Sequence, residues 1–205
     1  MNKSAAIKSI VFLWGTGFLF SCSSYCSDSQ KPIPNIEKEW SEHFVIDNGR
    51  VLQDSTLFSG YIVAYQEGRL IARTGYLDGR QHGDMLLYYP DGSLKQRRPY
   101  VHGEKHGEHL GYHPSGQLAF KYYFVNGKSE GTHFEWYEDG HLRAEMNYAD
   151  GYELGQQRVW RPDGKLRSNY ITRENGRQYG MLGIKRCTKI DSETGDLDPY
   201  TGKEK

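Results

Sequence analysis

The sequence is poor in the features that usually announce chemistry. It holds three cysteines in 205 residues, too few for a disulfide framework. It carries no G-x-S-x-G elbow, H-E-x-x-H pair, P-loop or dinucleotide fingerprint, so no motif signals an enzyme. Charge of one sign is missing as well: 26 basic residues stand against 26 acidic ones, a formal net charge of +0. A nucleic-acid binder needs a basic surface to displace counterions from phosphates, and that partner class is excluded. Simple attraction to an anionic bilayer is excluded with it. The one apolar run near the start, residues 10–20, is too short for a comfortable transmembrane helix. A mean hydropathy of −0.78 points the same way.

What the chain has in abundance is glycine (24) and tyrosine (16), and both follow from a repeat. Gly68, Gly92, Gly116, Gly140 and Gly164 recur at a constant step of 24 residues. Two positions after each comes Leu70, Leu94, Leu118, Leu142 or Leu166, and four positions before comes Tyr88, Tyr112, Trp136 or Trp160. Eight positions after stands Tyr76, Tyr100, Phe124 or Tyr148. A fixed period with one residue type per column is the mark of a repeat architecture.

The unit also dictates its local structure. Pro90-Asp91-Gly92, Glu138-Asp139-Gly140 and Pro162-Asp163-Gly164 fit the last three positions of a type I turn, where Asp bonds its own backbone and Gly takes the left-handed conformation. Such a turn closes a β-hairpin with a bulge. If Tyr137 faces His141, Trp136 faces Leu142, so the aromatic and leucine columns form one repeated cross-strand pair. Alternation then predicts Leu142, Ala144, Met146 and Tyr148 on one face and Arg143, Glu145 and Asn147 on the other. The connectors, from Gly79 to Gly83, Gly103 to Gly107 and Gly127 to Gly131, read as further glycine-bounded reversals. The fold class expected is all-β: an elongated single-layer antiparallel meander of tandem β-hairpins.

The pattern Y-x-x-x-G-x-L…Y-x-x-G-x-x-x-G resembles the MORN repeat (membrane occupation and recognition nexus), in the longer bacterial variant associated with antitoxin or immunity components. The resemblance covers residues 57–180. It implies a one-layer sheet acting in binding or scaffolding, with no cofactor and no catalytic residue to carry over.

The ends are of other material. Residues 1–22 read as a secretory signal with a short apolar core, and Leu19-Phe20-Ser21-Cys22 resembles the lipobox of bacterial lipoproteins, with Phe20 an unusual occupant. In that resemblance Cys22 becomes the acylated N-terminus, anchoring the protein through its lipid. Ser23 after it implies the outer membrane or its periplasmic side. Residues 23–35, small, polar or proline, suit a solvated tether. Residues 36–59 read as a cap: Ile36, Trp40 and Phe44 recur at helical spacing, which predicts a short N-terminal helix, followed by an opening hairpin around Asp47-Asn48-Gly49. The repeats occupy residues 60–180, and residues 181–205 hold one more strand and a polar tail.

Few constellations could carry chemistry. His102, His106, His109 and His113 crowd together, with His82 and His133 in related columns. On the hairpin reading His109 and His113 are about 13 Å apart along a strand, and His109 and His133 about 10 Å apart across one repeat. Neither pair can chelate, and no metal site is assigned. Cys187 sits beside Lys185 and Arg186, which favour a thiolate, but no Cys or His motif surrounds it. Tyr89, His113, Tyr137 and Arg161, next to the turns, form the candidate binding surface, because a stripe of aromatics on a one-layer sheet suits a protein partner. The function expected is that of a non-enzymatic envelope lipoprotein that binds or scaffolds another envelope or secreted protein. The alternatives are an immunity protein neutralising a toxin, and a metal-handling protein using the histidines and Cys187.

Overall fold

The computed structural model describes residues 31–182 and two short strands further on. The chain enters through β1 (Glu37–Glu39) and then builds a small sheet of its own from β2 (Phe44–Asp47), β3 (Arg50–Gln53) and β4 (Thr56–Leu57). The repeats follow as β5 (Gly60–Gln66), β6 (Arg69–Leu77), β7 (Arg80–Tyr88), β8 (Leu94–Val101), β9 (Glu104–Lys105), β10 (Gly107–Tyr112) and β11 (Leu118–Val125). They continue through β12 (Lys128–Ser129), β13 (Gly131–Trp136), β14 (Leu142–Ala149), β15 (Tyr152–Trp160), β16 (Leu166–Thr172) and β17 (Gln178–Met181). The last pair, β18 (Lys189–Ile190) and β19 (Leu197–Asp198), forms a separate hairpin. From β5 to β17 each strand lies antiparallel to the next in sequence, with β9 and β12 as short extensions, so the all-β meander expected from the repeat is what forms.

No helix occurs among the described residues, and the predicted N-terminal helix is therefore a correction. Pro32 and Pro34 precede the segment, and Glu37–Glu39 instead pairs in parallel with β5. An unpaired sheet edge offers ladder hydrogen bonds that a helix of three apolar residues cannot outweigh.

Two kinds of turn alternate. At the outer turns Gly92 N–H donates to the Tyr89 carbonyl and Tyr89 N–H to the Ser93 carbonyl, both at 2.9 Å, and the same pair of bonds recurs at His113, Tyr137, Arg161 and Arg173. Asp91, Asp139 and Asp163 each accept the backbone N–H two residues on, at 2.8, 3.0 and 3.1 Å. At the connectors the reversal is a two-residue turn with both centres at positive φ: Asp78-Gly79, His102-Gly103, Asn126-Gly127 and Asp150-Gly151. Asn, Asp and His tolerate that conformation best among residues with a Cβ, which accounts for His102. The first repeat is shorter because its outer turn, Glu67-Gly68, is also a two-residue one.

The glycines that close each connector, Gly83, Gly107, Gly131 and Gly155, are not part of the turn. They sit at positive φ inside strands and mark bulges. Tyr100 pairs with Lys105 and Arg97 with Leu110, so two residues of β8 face four of the returning chain. The same mismatch recurs one repeat later, between Phe124↔Ser129 and Lys121↔Phe134. A second bulge, beside every outer turn up to the β15–β16 one, corrects the predicted faces. Trp136 pairs with Leu142 but Glu135 pairs with Ala144, leaving Arg143 extra. The Arg143 guanidinium reaches Glu135 at 2.9 Å, so Arg143 joins the Ala144 side and Leu142 goes with Trp136, opposite to the alternation expected.

One apolar core is well closed. Phe44 and Val51 of the small sheet and Phe58 just after it pack against Ile62 and Tyr76, and bonds from Val51 N–H to the Gly79 carbonyl (2.7 Å) and from Gly79 N–H to the Phe58 carbonyl (2.8 Å) tie this region to the first connector.

Candidate binding faces

The bulges give the sheet one polar, buried seam. His109, His133 and Gln157 stand one repeat apart and are 2%, 6% and 0% exposed. Each side chain donates back ten residues to a carbonyl across the bulge: His109 Nε2 to Pro99 at 3.0 Å, His133 Nε2 to Tyr123 at 2.8 Å, Gln157 Nε2 to Asn147 at 2.8 Å. Gln157 also accepts the Asn147 N–H at 2.9 Å, a donor that Pro99 lacks. The Pro99 and Tyr123 carbonyls also accept the backbone N–H groups of His106 (3.1 Å) and Glu130 (2.9 Å), so the histidine adds a second bond to a carbonyl already paired across the bulge. The imidazoles alternate with aromatic rings in one stack: Tyr100, His109, Phe124, His133 and Tyr148, with centroids 4.6 to 5.7 Å apart. Burial pushes the His109 pKa down to about 4, helped by the nearby Arg98 and Lys105 cations, and burial lowers His133 as well. Both are neutral rings with the proton on Nε2.

Beside the stack Tyr122 donates to Glu135 at 2.5 Å, and Glu153 accepts from Tyr170 at 3.0 Å and Gln178 at 3.1 Å. Burial and then the Glu153 carboxylate raise Tyr170 to about 12, and burial with Glu135 raises Tyr122 likewise. These carboxylates are satisfied by the sheet.

The opposite face is different in kind. Leu86, Arg97, Leu110, Lys121, Phe134, Glu145 and Arg158 form an unbroken cross-strand row. Its charges are paired, diagonally within a hairpin for Arg97 with Asp84 (2.9 Å) and Lys121 with Glu108 (2.6 Å), and directly across the connector for Arg158 with Glu145 (2.7 Å). The aromatic column lies alongside, Trp136 stacked on Phe134 at 5.7 Å and Trp160 under the Arg158 guanidinium at 5.7 Å. Tyr88, Tyr112, Trp136 and Trp160 pair with Leu94, Leu118, Leu142 and Leu166, and Tyr65 pairs with Leu70. The rings are half-buried, while Leu118 and Leu166 are exposed.

The turn residues singled out from sequence are placed together, one per repeat, but three of them have polar ends already engaged. Tyr89 donates its hydroxyl to the Tyr112 carbonyl at 2.8 Å, His113 Nε2 contacts the Trp136 carbonyl at 3.0 Å, and Tyr137 donates to the Trp160 carbonyl at 2.9 Å. Each therefore staples its turn to the next one. Arg161, at the same position of a later turn, is exposed.

The histidines that crowd together in sequence do not converge. His102 heads a turn, His109 sits in the stack and His113 is a staple, and the Phe124 ring lies between His109 and His133. Among the described residues no group of three His, Cys, Asp or Glu side chains could hold a metal ion. Cys22 and Cys187 lie outside the described residues.

Residues 81–102, 105–126 and 129–150 match the family model of the MORN repeat variant. These three MORN-variant segments carry the whole of the His109–His133 stack and the ion pairs of Arg97 and Lys121, while the flanking hairpins β5–β6 and β15–β16 repeat the same geometry outside the matched stretch. No curated protein matches the chain. Among solved structures, a GtfA/B complex bound to UDP and GlcNAc aligns with 14% identity and a TM-score of 0.23, covering 75% of this chain and 26% of that one. The chain thus spans about a quarter of that chain's length.

Proposed function

We propose that the chain is a non-enzymatic envelope protein, exported and anchored through a lipid on Cys22, whose MORN-variant sheet binds another protein. The observation that carries the binding role is the ion-paired face. It offers half-exposed aromatic rings at a constant step beside charges that already neutralise one another, so a partner meets apolar and aromatic surface without desolvating an unpaired charge. The seam on the other face is committed to holding the bulges. An immunity protein that neutralises a toxin would use the same surface and differ only in its partner. Metal handling is disfavoured, because His109 and His133 spend their Nε2 atoms on carbonyls and have a phenylalanine ring between them.

The test is co-purification of the tagged protein from gently solubilised native membranes. A stoichiometric protein should accompany it, survive Cys22→Ser, and be lost in Phe134→Ala and Lys121→Glu variants that keep their β-sheet circular dichroism. A partner indifferent to both face variants would refute the assignment of the face. Cys22→Ser should also free the protein from membranes without unfolding it, and unchanged membrane association would refute the anchor.

A further inference from the structure

The small sheet before the repeats shows apolar side chains that the repeats do not use. β2 is an outer strand of that sheet, and its consecutive residues Val45 and Ile46 are 51% and 68% exposed. Alternation sends them to opposite faces. Ile46 pairs with Val51, on the side where Phe44 joins the core, while Val45 shares a cross-strand row with Leu52 and the exposed Leu57. Trp40 precedes them, half-exposed, its ring stacked on Phe44 at 5.4 Å. An edge strand with aliphatics on both faces and an indole at its root is an aggregation hazard in water. It is well matched to an interface that is apolar on one side and wet on the other, where Trp is the favoured anchor.

The length of chain before it says which interface. Nine residues, 23–31, separate Cys22 from Pro32. Fully extended they reach at most about 35 Å, and as a flexible coil about 16 Å. A lipid on Cys22 would therefore hold this edge against the same bilayer at high effective concentration, and a wedge too small to recruit a soluble protein is then sufficient. Glu37, Glu39, Glu42 and Asp47 outnumber Lys38 and Arg50 around it, and Glu37 is already bonded to Arg73 at 2.8 Å. That balance suits zwitterionic headgroups and opposes an anionic surface.

We infer that Trp40, Val45, Ile46 and Leu57 form a docking edge for a zwitterionic membrane surface. The inference rests on the proposed lipid anchor and concerns a region outside the MORN-variant segments, which begin at residue 81. It places the first hairpins nearest the bilayer and turns the later repeats outward.

The test uses the full-length lipidated protein with Trp136→Phe and Trp160→Phe, so that Trp40 reports alone once the signal is removed. It is reconstituted in phosphatidylcholine vesicles with and without brominated acyl chains. Trp40 emission should fall by about half or more in the brominated vesicles. Ile46→Asp should lose most of that quenching yet still float with the vesicles, and added anionic lipid should not strengthen it. Protein that floats while Trp40 stays unquenched overturns the docking edge and leaves the anchor standing. Protein that fails to float, like Cys22→Ser, overturns the anchor and the inference together. A lipidated protein that sediments in detergent as a dimer with Trp40 already shielded would give the edge to a second copy and also overturn it.

Discussion

His109→Gln should destabilise the sheet at neutral pH and lose most of that effect at acid pH. A glutamine, as at position 157, keeps the side-chain bond to the carbonyl ten residues back, at 2.8 Å against 3.0 Å for His109, but its Oε1, which at 157 accepts the Asn147 N–H, meets no N–H at Pro99. At pH 7.5 the variant loses the ring contacts to Tyr100 and Phe124 and leaves that Oε1 unpaired, about 3 kcal/mol together. The proton balance acts the other way. In the folded protein burial holds His109 near pKa 4, against about 6.5 in an unfolded chain. Between those values the unfolded state binds more protons, so stability is fully present above pH 6.5 and is lost as pH falls toward 4. From pH 7.5 to pH 5 that loss is on the order of 2 kcal/mol for His109, with His133 adding in the same direction. The glutamine does not titrate, so the variant should be less stable than the parent by about 3 kcal/mol at pH 7.5 and by only about 1 kcal/mol at pH 5. Urea unfolding followed by far-ultraviolet circular dichroism at the two pH values measures this. Parallel pH dependences for parent and variant would refute the claim that His109 is buried neutral.

Gly111→Ala should destabilise the sheet by about 1–3 kcal/mol, because a Cβ there would fall within the Phe120 ring that lies over it; thermal unfolding measures it, and Phe120→Ala in the same chain should recover part of the loss. Trp136→Ala should cost about 2 kcal/mol, less than a fully buried tryptophan, since the ring is half-exposed and stacks on Phe134; no change in the urea midpoint would mean the column contributes nothing to the sheet. Glu135→Gln should lower the pKa of Tyr122, which is raised first by burial and then by that carboxylate, and ultraviolet difference titration should show one tyrosine ionising at lower pH; a titration curve identical to the parent's would show that burial acts alone.

The parts of the fold that were legible before the structure are those fixed within a few residues. Asp139 bonding the His141 N–H and Gly140 closing on Tyr137 are local consequences of residue type, and they carry the Trp136–Leu142 pairing with them. What was not legible depends on backbone irregularities that no residue announces alone. Gly131 read as the end of a reversal, but the reversal is finished at Gly127 and Gly131 sits in a bulge. The extra residue beside the outer turn then moved Arg143 and Leu142 to faces that simple alternation denies them. Ile36, Trp40 and Phe44 had helical spacing but lay next to an open edge of β5, and pairing outweighed periodicity. The signal for the buried seam was present in the 24-residue spacing of His109, His133 and Gln157. In sequence His109 and His133 invite only a metal reading, because a histidine's bond to a carbonyl across a bulge shows only once the bulge is known. Tyr89, His113 and Tyr137 were legible as a column and not as staples, since their acceptors lie 23 residues away.

That constant offset of 23 residues has a consequence for how such a chain can change. The bond from Tyr89 reaches Tyr112, that from His113 reaches Trp136 and that from Tyr137 reaches Trp160, so each staple spans one period and none spans two. Cutting out a 24-residue block and rejoining the ends would hand every staple an equivalent carbonyl, and duplicating a block would supply one more. The length of the binding face is therefore a quantity that can grow or shrink in whole steps of about 10 Å without redesigning any contact, which makes the molecule a ruler whose graduations are written into its own hydrogen bonds.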